Sequence, residues 1–343
     1  MVGTLSLYPP YDTDCVEEPL APVASTVFRG LDRNSLTLGE LAMTTISWID
    51  LVEKNAAEFG ELVAGIDPHL PELPAFFDHR RDGSWIGDYV TFMLELLKGQ
   101  VGFVKFQSAY FEACGLRGLT ALSAGIGQAK ANGMAVILDA KRGDIGSTAT
   151  AYARAYLTPA SAGGSGDFEV DCLTVAPFMG PDTLEPFVDC ARSYGKGLFV
   201  LCRTSNPGAG WLQDKVAGNR LVSEHVADLI ANIEPPHQGP QRLSAIGAVI
   251  GATAVHEGRR LRQLMPRSII LAPGLGAQGA DAATIGAMCG QFEGDLLLPV
   301  SRGLSSVVDR DLDADAYRNL VLERTATFKL LSTRRSDLAR TSA

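Results

Sequence analysis

Eight short apolar runs recur between residues 62 and 303, and each is bounded by Gly, Pro or polar residues. They are LVAGIDP (62–68), GFVKFQS (102–108), AVILDAK (135–141), CLTVAPF (172–178), GLFVLCR (197–203), AIGAVIGAT (245–253), SIILAPG (268–274) and DLLLPVSRG (295–303). Continuous runs of Val, Ile, Leu and Phe are typical of strands buried on both faces. The spacing between successive runs leaves room for a helix between each pair.

Strands that alternate with helices along a chain pair in parallel, and eight such units predict a closed (β/α)8 TIM barrel. An open, doubly wound sheet is the structural alternative. Helices are predicted over 116–132, 148–157 and 219–233. An amphipathic helix is also predicted within 39–60, with its apolar positions at Leu41, Ile46, Ile49 and Leu51.

The two ends of the chain lack this periodicity. We therefore expect an N-terminal extension (1–38), a single barrel domain (39–333) and a C-terminal tail (334–343). The first basic residue is Arg29, so the charged start of a signal peptide is missing. No uncharged apolar stretch reaches about 18 residues, the length of a membrane-spanning helix. These features predict a cytoplasmic protein that has no membrane partner.

Composition narrows the function classes further. The formal net charge of −9 argues against non-specific binding of nucleic acid, but it leaves room for a small anion in a local pocket. The six cysteines are dispersed without a Cys-x-x-Cys pair, as expected in a reducing compartment. His256-Glu257 is not followed by the second histidine of a zincin helix, and no dedicated metal site is predicted.

Charged residues stand at the ends of several runs, where a barrel carries its active site. Taken alone, each could be a capped turn or a rim salt bridge. Lys105, Asp139 and Lys141, however, all belong to apolar strands, where unpaired charges are strongly disfavoured. Asp139 and Lys141 are two residues apart and should share one strand face, and Lys105 on the preceding strand can join them. Asp144 lies past the turn, on a loop.

A second set of residues predicts a phosphate site. PGLGAQG (273–279) follows run seven, and its glycines let backbone N–H groups approach an anion, with Gln278 as a further donor. Arg302, after run eight, supplies a planar cation suited to phosphate oxygens. The ends of strands seven and eight are the usual phosphate position in such barrels. The segment is neither a Walker loop nor a Rossmann fingerprint.

In combination, these segments resemble the orotidine 5′-phosphate decarboxylase family, specifically its longer bacterial subgroup, type 2. The segments that carry the resemblance are AGIDP (64–68), FVKFQSAYFE (103–112), DAKRGDIGSTATAYA (139–153), RTSNPG (203–208), PGLGAQG (273–279) and SRG (301–303). The resemblance implies a barrel that decarboxylates orotidine 5′-phosphate to UMP as a homodimer, without metal or organic cofactor. UMP formation is the last step of de novo pyrimidine nucleotide synthesis.

The resemblance also implies residue roles. Lys105, Asp139, Lys141 and Asp144 match the family's catalytic charge network, with Lys141 as the proton donor. Asp144 and Thr148 would reach into the neighbouring subunit's site. Asp67 matches a ribose contact, Ser205 a pyrimidine contact, and Gln278 and Arg302 phosphate contacts. Pro273, at the start of the glycine segment, is expected to be a further substrate-binding residue.

Three other interpretations account for part of the pattern. A 3-keto-gulonate 6-phosphate decarboxylase shares the Asp-x-Lys-x-x-Asp core but needs magnesium, and the Ile-Gly-Ser-Thr continuation after Asp144 argues against it. An adhesion protein could use Arg142-Gly143-Asp144, but Lys105 and Arg302 would then have no role. A barrel that only binds nucleotide would not need the intact charge array.

Overall fold

The computed structural model describes residues 46–78, 83–233, 242–252, 255–275 and 286–341. Within these ranges eight parallel strands form a closed barrel: β1 (Leu62–Ile66), β2 (Phe103–Gln107), β3 (Ala135–Arg142), β4 (Cys172–Val175), β5 (Gly197–Arg203), β6 (Ser244–Ile250), β7 (Ser268–Leu271) and β8 (Leu296–Val300). Each strand pairs with its neighbours along the chain, and β8 pairs with β1 to close the ring. The predicted barrel is confirmed, and each of the eight apolar runs contains a strand.

Helices surround the barrel. They are α1 (Trp48–Phe59), α2 (Trp85–Leu97), α3 (Ser108–Glu112), α4 (Gly115–Ala131), α5 (Gly146–Leu157), α6 (Glu185–Tyr194), α7 (Val222–Asn232), α8 (Val255–Leu264), α9 (Arg302–Ser305) and α10 (Ala314–Thr341). The three helices predicted after run two, run three and run five are confirmed as α4, α5 and α7. The last helix continues through position 334, where the tail was expected to begin, and residues 1–38 lie outside the described ranges.

Shorter elements lie in the connections. Single 3-10 turns occupy Leu70–Glu72, Ala75–Phe77, Ala160–Ala162, Pro181–Leu184 and Pro207–Trp211, and a small hairpin pairs Val216–Ala217 with Arg220–Leu221. The 3-10 turn at 207–211 and the hairpin fill the long connection from β5 to α7. Among the described residues, no helix is both long and apolar enough to cross a bilayer.

Side chains along the strands alternate between two buried cores. Val104 and Phe106 of β2 belong to the larger core between the barrel and its helices. Phe103 of the same strand belongs to a smaller core, together with Ile137 of β3 and Phe199 of β5. This second set fills the barrel interior, because successive strand residues point to opposite faces. Continuing the inner set toward the carboxyl ends of the strands gives charged and polar residues.

Helix α1 closes the opposite end of the barrel. It begins at Trp48 because Ser47 and Asp50 form a capping box. Trp48 is 1% exposed and packs edge-on against Phe199, with ring centroids 6.0 Å apart. A side chain at Gly197 would meet the Trp48 ring at 2.4 Å, so the close approach needs glycine there.

The apolar face of this helix differs from the predicted one. Ile49 is buried as predicted, but Val52 and Ala56 complete the face with Trp48. Ile46 precedes the helix and is 58% exposed, and Leu41 lies outside the described residues. Ile46 is not part of the helix, because the Ser47–Asp50 capping box fixes the first helical residue at Trp48. With α1 sealing the amino ends of the strands, a site can open only at the carboxyl ends.

Candidate active site

Lys105 is the centre of a charge cluster at the carboxyl ends of β1, β2 and β3. Its Nζ lies 3.7 Å from Asp67 Oδ1 and 3.6 Å from Asp139 Oδ2. The Lys105 side chain is only 7% exposed, and those of Asp67 and Asp139 are 16% and 14% exposed. All three continue the inner face of their strands, which is why residues distant in sequence meet here.

Asp139 joins Lys105 to Lys141. Lys141 Nζ donates a hydrogen bond of 2.7 Å to Asp139 Oδ1, while Lys105 approaches the other carboxylate oxygen. The predicted contact between Asp139 and Lys141 is therefore present. It does not arise from regular strand alternation, because the β3–β4 register shifts between Leu138 and Arg142 and Lys141 has a φ of 49°.

The ionisation of this cluster follows from its burial and its pairing. Burial lowers the pKa of Lys105, but the negative charges of Asp67 and Asp139 raise it by more, so the net change is upward. Burial likewise raises the pKa of Asp139, and Lys105 and Lys141 more than reverse this, so its pKa falls below the ordinary value. Lys105 and Asp139 consequently stay charged near neutral pH instead of sharing a proton.

Asp144 and Thr148 lie on the same stretch of chain but outside the cluster. The Asp144 carboxylate accepts a 2.8 Å hydrogen bond from the backbone N–H of Ile145, and Thr148 is exposed on the first turn of α5. Within the described ranges, no hydrogen bond or ion pair connects Asp144 or Thr148 to Lys105, Asp139 or Lys141. One subunit therefore assembles three of the four predicted catalytic residues.

Arg142 anchors the turn between these two groups. Its guanidinium forms an ion pair with Glu112 and donates to the Tyr156 hydroxyl from Nε at 3.3 Å. It also lies over the Tyr152 ring at 5.5 Å from the centroid. The arginine of the Arg-Gly-Asp sequence thus has a structural role within the fold. An adhesion tripeptide does not require such contacts.

Two cavities meet at Lys105 and Asp139. The first, of about 500 Å³, is lined by Asp67, Tyr110, Pro273, Gly274 and Arg302 as well as the shared pair. The second, of about 400 Å³, is lined by Lys141 and Ser205 and has apolar walls from Leu201, Val249 and Leu271. One side of the cluster therefore offers a polar chamber with a cation at its rim, and the other a flat apolar slot.

Close backbone packing shapes the polar chamber. A side chain at Gly65 of β1 would meet Ser301 Oγ at 1.9 Å, so only glycine allows the end of β8 to lie against β1 here. Ser301 precedes Arg302, the first residue of α9, and Arg302 is exposed toward the chamber. Pro273 and Gly274 form the facing wall. The predicted phosphate residue Gln278 lies outside the described residues.

The segment carrying Ser205 is held in place at the mouth of the apolar slot. The backbone N–H of Thr204 donates to Gln213 Oε1 at 2.8 Å, and Arg203 Nε donates to Asp214 Oδ1 at 2.8 Å. A side chain at Gly251 would come within 2.6 Å of the Ser205 Cβ, so glycine is needed for this approach too. Ser205 therefore lines the same cavity as Lys141 and the apolar walls.

Two neutral residues of the cluster were missed by sequence reasoning. Gln107 Nε2 donates to the Asp139 carbonyl at 3.0 Å, and its Oε1 accepts from Lys105 at 3.4 Å. Thr174 Oγ1 donates to Asp139 Oδ1 at 2.9 Å. The inner-face alternation that selects Lys105 also selects Gln107, which is the signal that could have found it. Thr174 is the single threonine of the eight described barrel strands, but a buried threonine is an ordinary strand residue, and its contact with Asp139 follows only from the β3–β4 pairing.

In the part of the chain that the structure describes, no three His, Cys, Asp or Glu side chains come together in a way that could hold a metal ion. The expectation of a reaction without metal or organic cofactor stays a prediction. The residues that meet in this site are instead two ammonium groups, two carboxylates and a guanidinium at the rim.

This arrangement defines the class as a (β/α)8-barrel protein with an ammonium–carboxylate array beside a cavity that has an arginine at its rim. The model of one family, Orotidine 5'-phosphate decarboxylase / HUMPS, matches residues 61–305. The chain belongs to this family, and the resemblance inferred from the motifs is confirmed.

Named relatives agree with this family. Orotidine 5'-phosphate decarboxylase of Rhodopirellula baltica is 41% identical over 225 residues, which is 64% of this chain and 74% of that protein. The protein of the same name from Deinococcus radiodurans is 37% identical over 273 residues, 79% of this chain and 93% of that one. The solved structure of Leishmania donovani OMP decarboxylase is 30% identical with a TM-score of 0.62, covering 83% of this chain and 99% of that chain.

Proposed function

We propose that this chain decarboxylates orotidine 5′-phosphate to UMP and CO2, the last step of de novo pyrimidine nucleotide synthesis, without metal or organic cofactor. The observation that carries the proposal is the junction of two unlike cavities at Lys105 and Asp139. The apolar slot has the character needed for a pyrimidine ring, and the polar chamber has the cation needed for a phosphate. The buried charges at their junction then face the carboxylate that leaves.

The proposed reaction breaks the bond between C6 of the pyrimidine and its carboxyl carbon. CO2 departs, and the electron pair stays on C6, where neither a Schiff base nor a pyridoxal ring is available to accept it. The Lys141 ammonium stabilises this charge electrostatically and then gives its proton to C6. Asp139, which accepts a 2.7 Å hydrogen bond from Lys141, orients that ammonium.

Electrostatic repulsion in the bound substrate supplies part of the driving force. The substrate carboxylate would lie near Asp139, and two like charges at 4 Å repel by roughly 4 kcal/mol at an effective dielectric of about 20. Enzymes typically lower barriers by roughly 8–23 kcal/mol, so repulsion alone is insufficient. Most of the acceleration must come from stabilisation of the transition state, with phosphate binding used to order the site.

Residue roles follow from the two cavities. We assign the pyrimidine contact to Ser205, the ribose contact to Asp67, and phosphate contacts to Gln278 and Arg302. Pro273, which lines both cavities, is assigned a further substrate contact. Ser205 supports its assignment by lining the apolar slot, and Asp67 and Arg302 support theirs by lining the polar chamber.

Asp144 and Thr148 are assigned to the site of a partner subunit in a homodimer. Their distance from the cluster of their own subunit supports this assignment. So does an apolar surface next to them, where Ile145, Phe178 and Met179 are 61%, 79% and 42% exposed. Exposed apolar patches of this kind mark contact surfaces. The described cysteines are free, which supports a cytoplasmic location for the dimer.

The activity is tested by following the ultraviolet absorbance of orotidine 5′-phosphate with purified full-length protein and a chelator. Conversion to UMP supports the proposal, and its absence from folded protein contradicts it. Conversion that is lost with chelator and restored by magnesium would instead show that the reaction needs a metal ion.

The shared site is tested by mixing two inactive variants, Lys141→Ala and Asp144→Ala. Random exchange of subunits in a homodimer would leave one intact site in each mixed dimer and restore about a quarter of wild-type activity. No recovery after demonstrated subunit exchange would show that Asp144 does not act across the interface.

A further inference from the structure

The Thr174 hydroxyl of β4 bonds both to the backbone of Lys141 and to the carboxylate of Asp139. It accepts a 2.9 Å hydrogen bond from the backbone N–H of Lys141 and donates one of 2.9 Å to Asp139 Oδ1. The same carboxylate oxygen accepts the 2.7 Å hydrogen bond from Lys141 Nζ. Backbone, hydroxyl, carboxylate and ammonium therefore form a closed ring of hydrogen bonds, and Thr174 has no exposed surface.

This ring coincides with an irregularity of the backbone. Lys141 is the single non-glycine residue with positive φ among the described residues, at 49°. An L residue adopts this conformation only where its surroundings fix it. The β3–β4 register shifts between Leu138 and Arg142, so the Lys141 N–H bonds to the Thr174 hydroxyl at a point where the regular ladder is interrupted.

On the basis of the proposed function, we infer that Thr174 is a positioning residue for the decarboxylation. It holds Lys141 in its left-handed conformation and orients Asp139. The Lys141 ammonium then lines the apolar slot, a position that a regular continuation of β3 would not give it. Without the hydroxyl, the Lys141 N–H would lose this partner, and Asp139 would lose a donor.

A valine at position 174 has nearly the same shape as threonine, and it is the residue type that an inner strand position usually holds. Packing alone therefore does not require the hydroxyl. The charged groups that face Asp139 are Lys105 from β2 and Lys141 from β3, with Asp67 of β1 beyond Lys105. Gln107 and Thr174 are uncharged neighbours of Asp139. Gln107 bonds to the Asp139 carbonyl, whereas Thr174 bonds both to the Asp139 carboxylate and to the backbone N–H of Lys141.

The test compares Thr174→Val, which removes the hydroxyl, with Thr174→Ser, which keeps it. Thr325→Val is the matched control, because Thr325 is equally buried on α10 and its hydroxyl donates to the Val321 carbonyl. Steady-state decarboxylation of orotidine 5′-phosphate is measured over pH for all three variants, together with thermal unfolding and crystal structures of Thr174→Val and Thr174→Ser.

For Thr174→Val we expect kcat to fall by about 10- to 100-fold with little change in KM, as for loss of a buried hydrogen bond to a charged group. The acid limb of kcat/KM should move to higher pH, because a carboxylate that loses a donor protonates more easily. Thr174→Ser should restore most of kcat, and Thr325→Val should change only thermal stability. In the Thr174→Val crystal structure, Lys141 should leave its positive φ.

Wild-type kcat and an unmoved acid limb in Thr174→Val would overturn the inference. Unchanged φ at Lys141 and an unchanged Lys141–Asp139 contact in the variant structure would do so as well. If the wild-type protein itself fails to convert orotidine 5′-phosphate, the proposed function fails. The crystal structures then still decide whether Thr174 positions Lys141.

Discussion

Replacing Lys105 by methionine tests whether the charge cluster is held together as described. Lys105 Nζ lies 3.6 Å from Asp139 and 3.7 Å from Asp67, and its side chain is 7% exposed. At an effective dielectric of about 20, each contact is worth about 4.5 kcal/mol of gross attraction, which the desolvation of three charges offsets in part. Removing one member of a buried ion pair typically costs about 3–5 kcal/mol. We expect Lys105→Met to lose about that much free energy of unfolding at pH 7.

The loss should depend on pH in a definite direction. Burial raises the pKa of Asp139, but Lys105 and Lys141 lower it more, so the folded pKa lies below the unfolded one. In the wild type, the ionised carboxylate stabilises the fold above the unfolded pKa, and this contribution is lost as pH falls through the folded pKa. Without Lys105 the pKa of Asp139 rises, and the folded variant takes up a proton more easily. The stability difference between wild type and variant should therefore shrink on acidification.

The assay is urea unfolding followed by tryptophan fluorescence from about pH 4 to pH 8, at one fixed protein concentration. Lys196→Met is the matched control, since Lys196 is 6% exposed and pairs with Glu169 just before β5, at the end of the barrel away from the site. It should lower stability while leaving kcat unchanged, whereas Lys105→Met should lower both. A stability loss in Lys105→Met that is absent at pH 7, or equal at every pH, would refute the reasoning.

Three further outcomes are expected. Lys141→Ala should abolish turnover while UMP still binds, as measured by calorimetry; near-normal turnover would remove Lys141 from its role. Orotidine, which lacks the phosphate, should lose at least about 100-fold in kcat/KM, and Arg302→Ala should reduce kcat/KM for the phosphorylated substrate without affecting orotidine. Gly65→Ala should raise KM for orotidine 5′-phosphate, because the new methyl group would lie 1.9 Å from Ser301 Oγ next to Arg302. Unchanged KM in a folded Gly65→Ala variant would show that this packing does not shape the chamber.

The strands were predictable because each apolar run is short, strongly hydrophobic and bounded by polar or glycine residues. Lys105 and Asp139 were predictable for a related reason, since charges in such runs must find partners. The alternation of strand side chains also predicted that Asp139 and Lys141 lie on the same face of β3. Their contact exists, but it passes through a register shift and the positive φ of Lys141.

Thr174 and the start of α1 were beyond sequence reasoning for different physical reasons. A threonine in an apolar strand has the same pattern whether its hydroxyl is idle or bonded to a catalytic carboxylate, and only the neighbouring strand decides which. Helix α1 starts at Trp48 because Ser47 and Asp50 cap it, a local contact that outweighs the apolar position at Ile46. Hydrophobic periodicity predicts that a helix is present, whereas polar contacts such as the Ser47–Asp50 capping box determine the residue at which it begins.

The central claim is that this barrel breaks the C6–carboxylate bond and protonates C6 from an exchangeable ammonium group. The most direct measurement is proton NMR of orotidine 5′-phosphate incubated with the full-length protein and a chelator in D2O. We expect UMP that carries deuterium at C6 in every molecule formed, with release of CO2. Unchanged orotidine 5′-phosphate in the presence of folded protein, or UMP that carries protium at C6, would contradict the account.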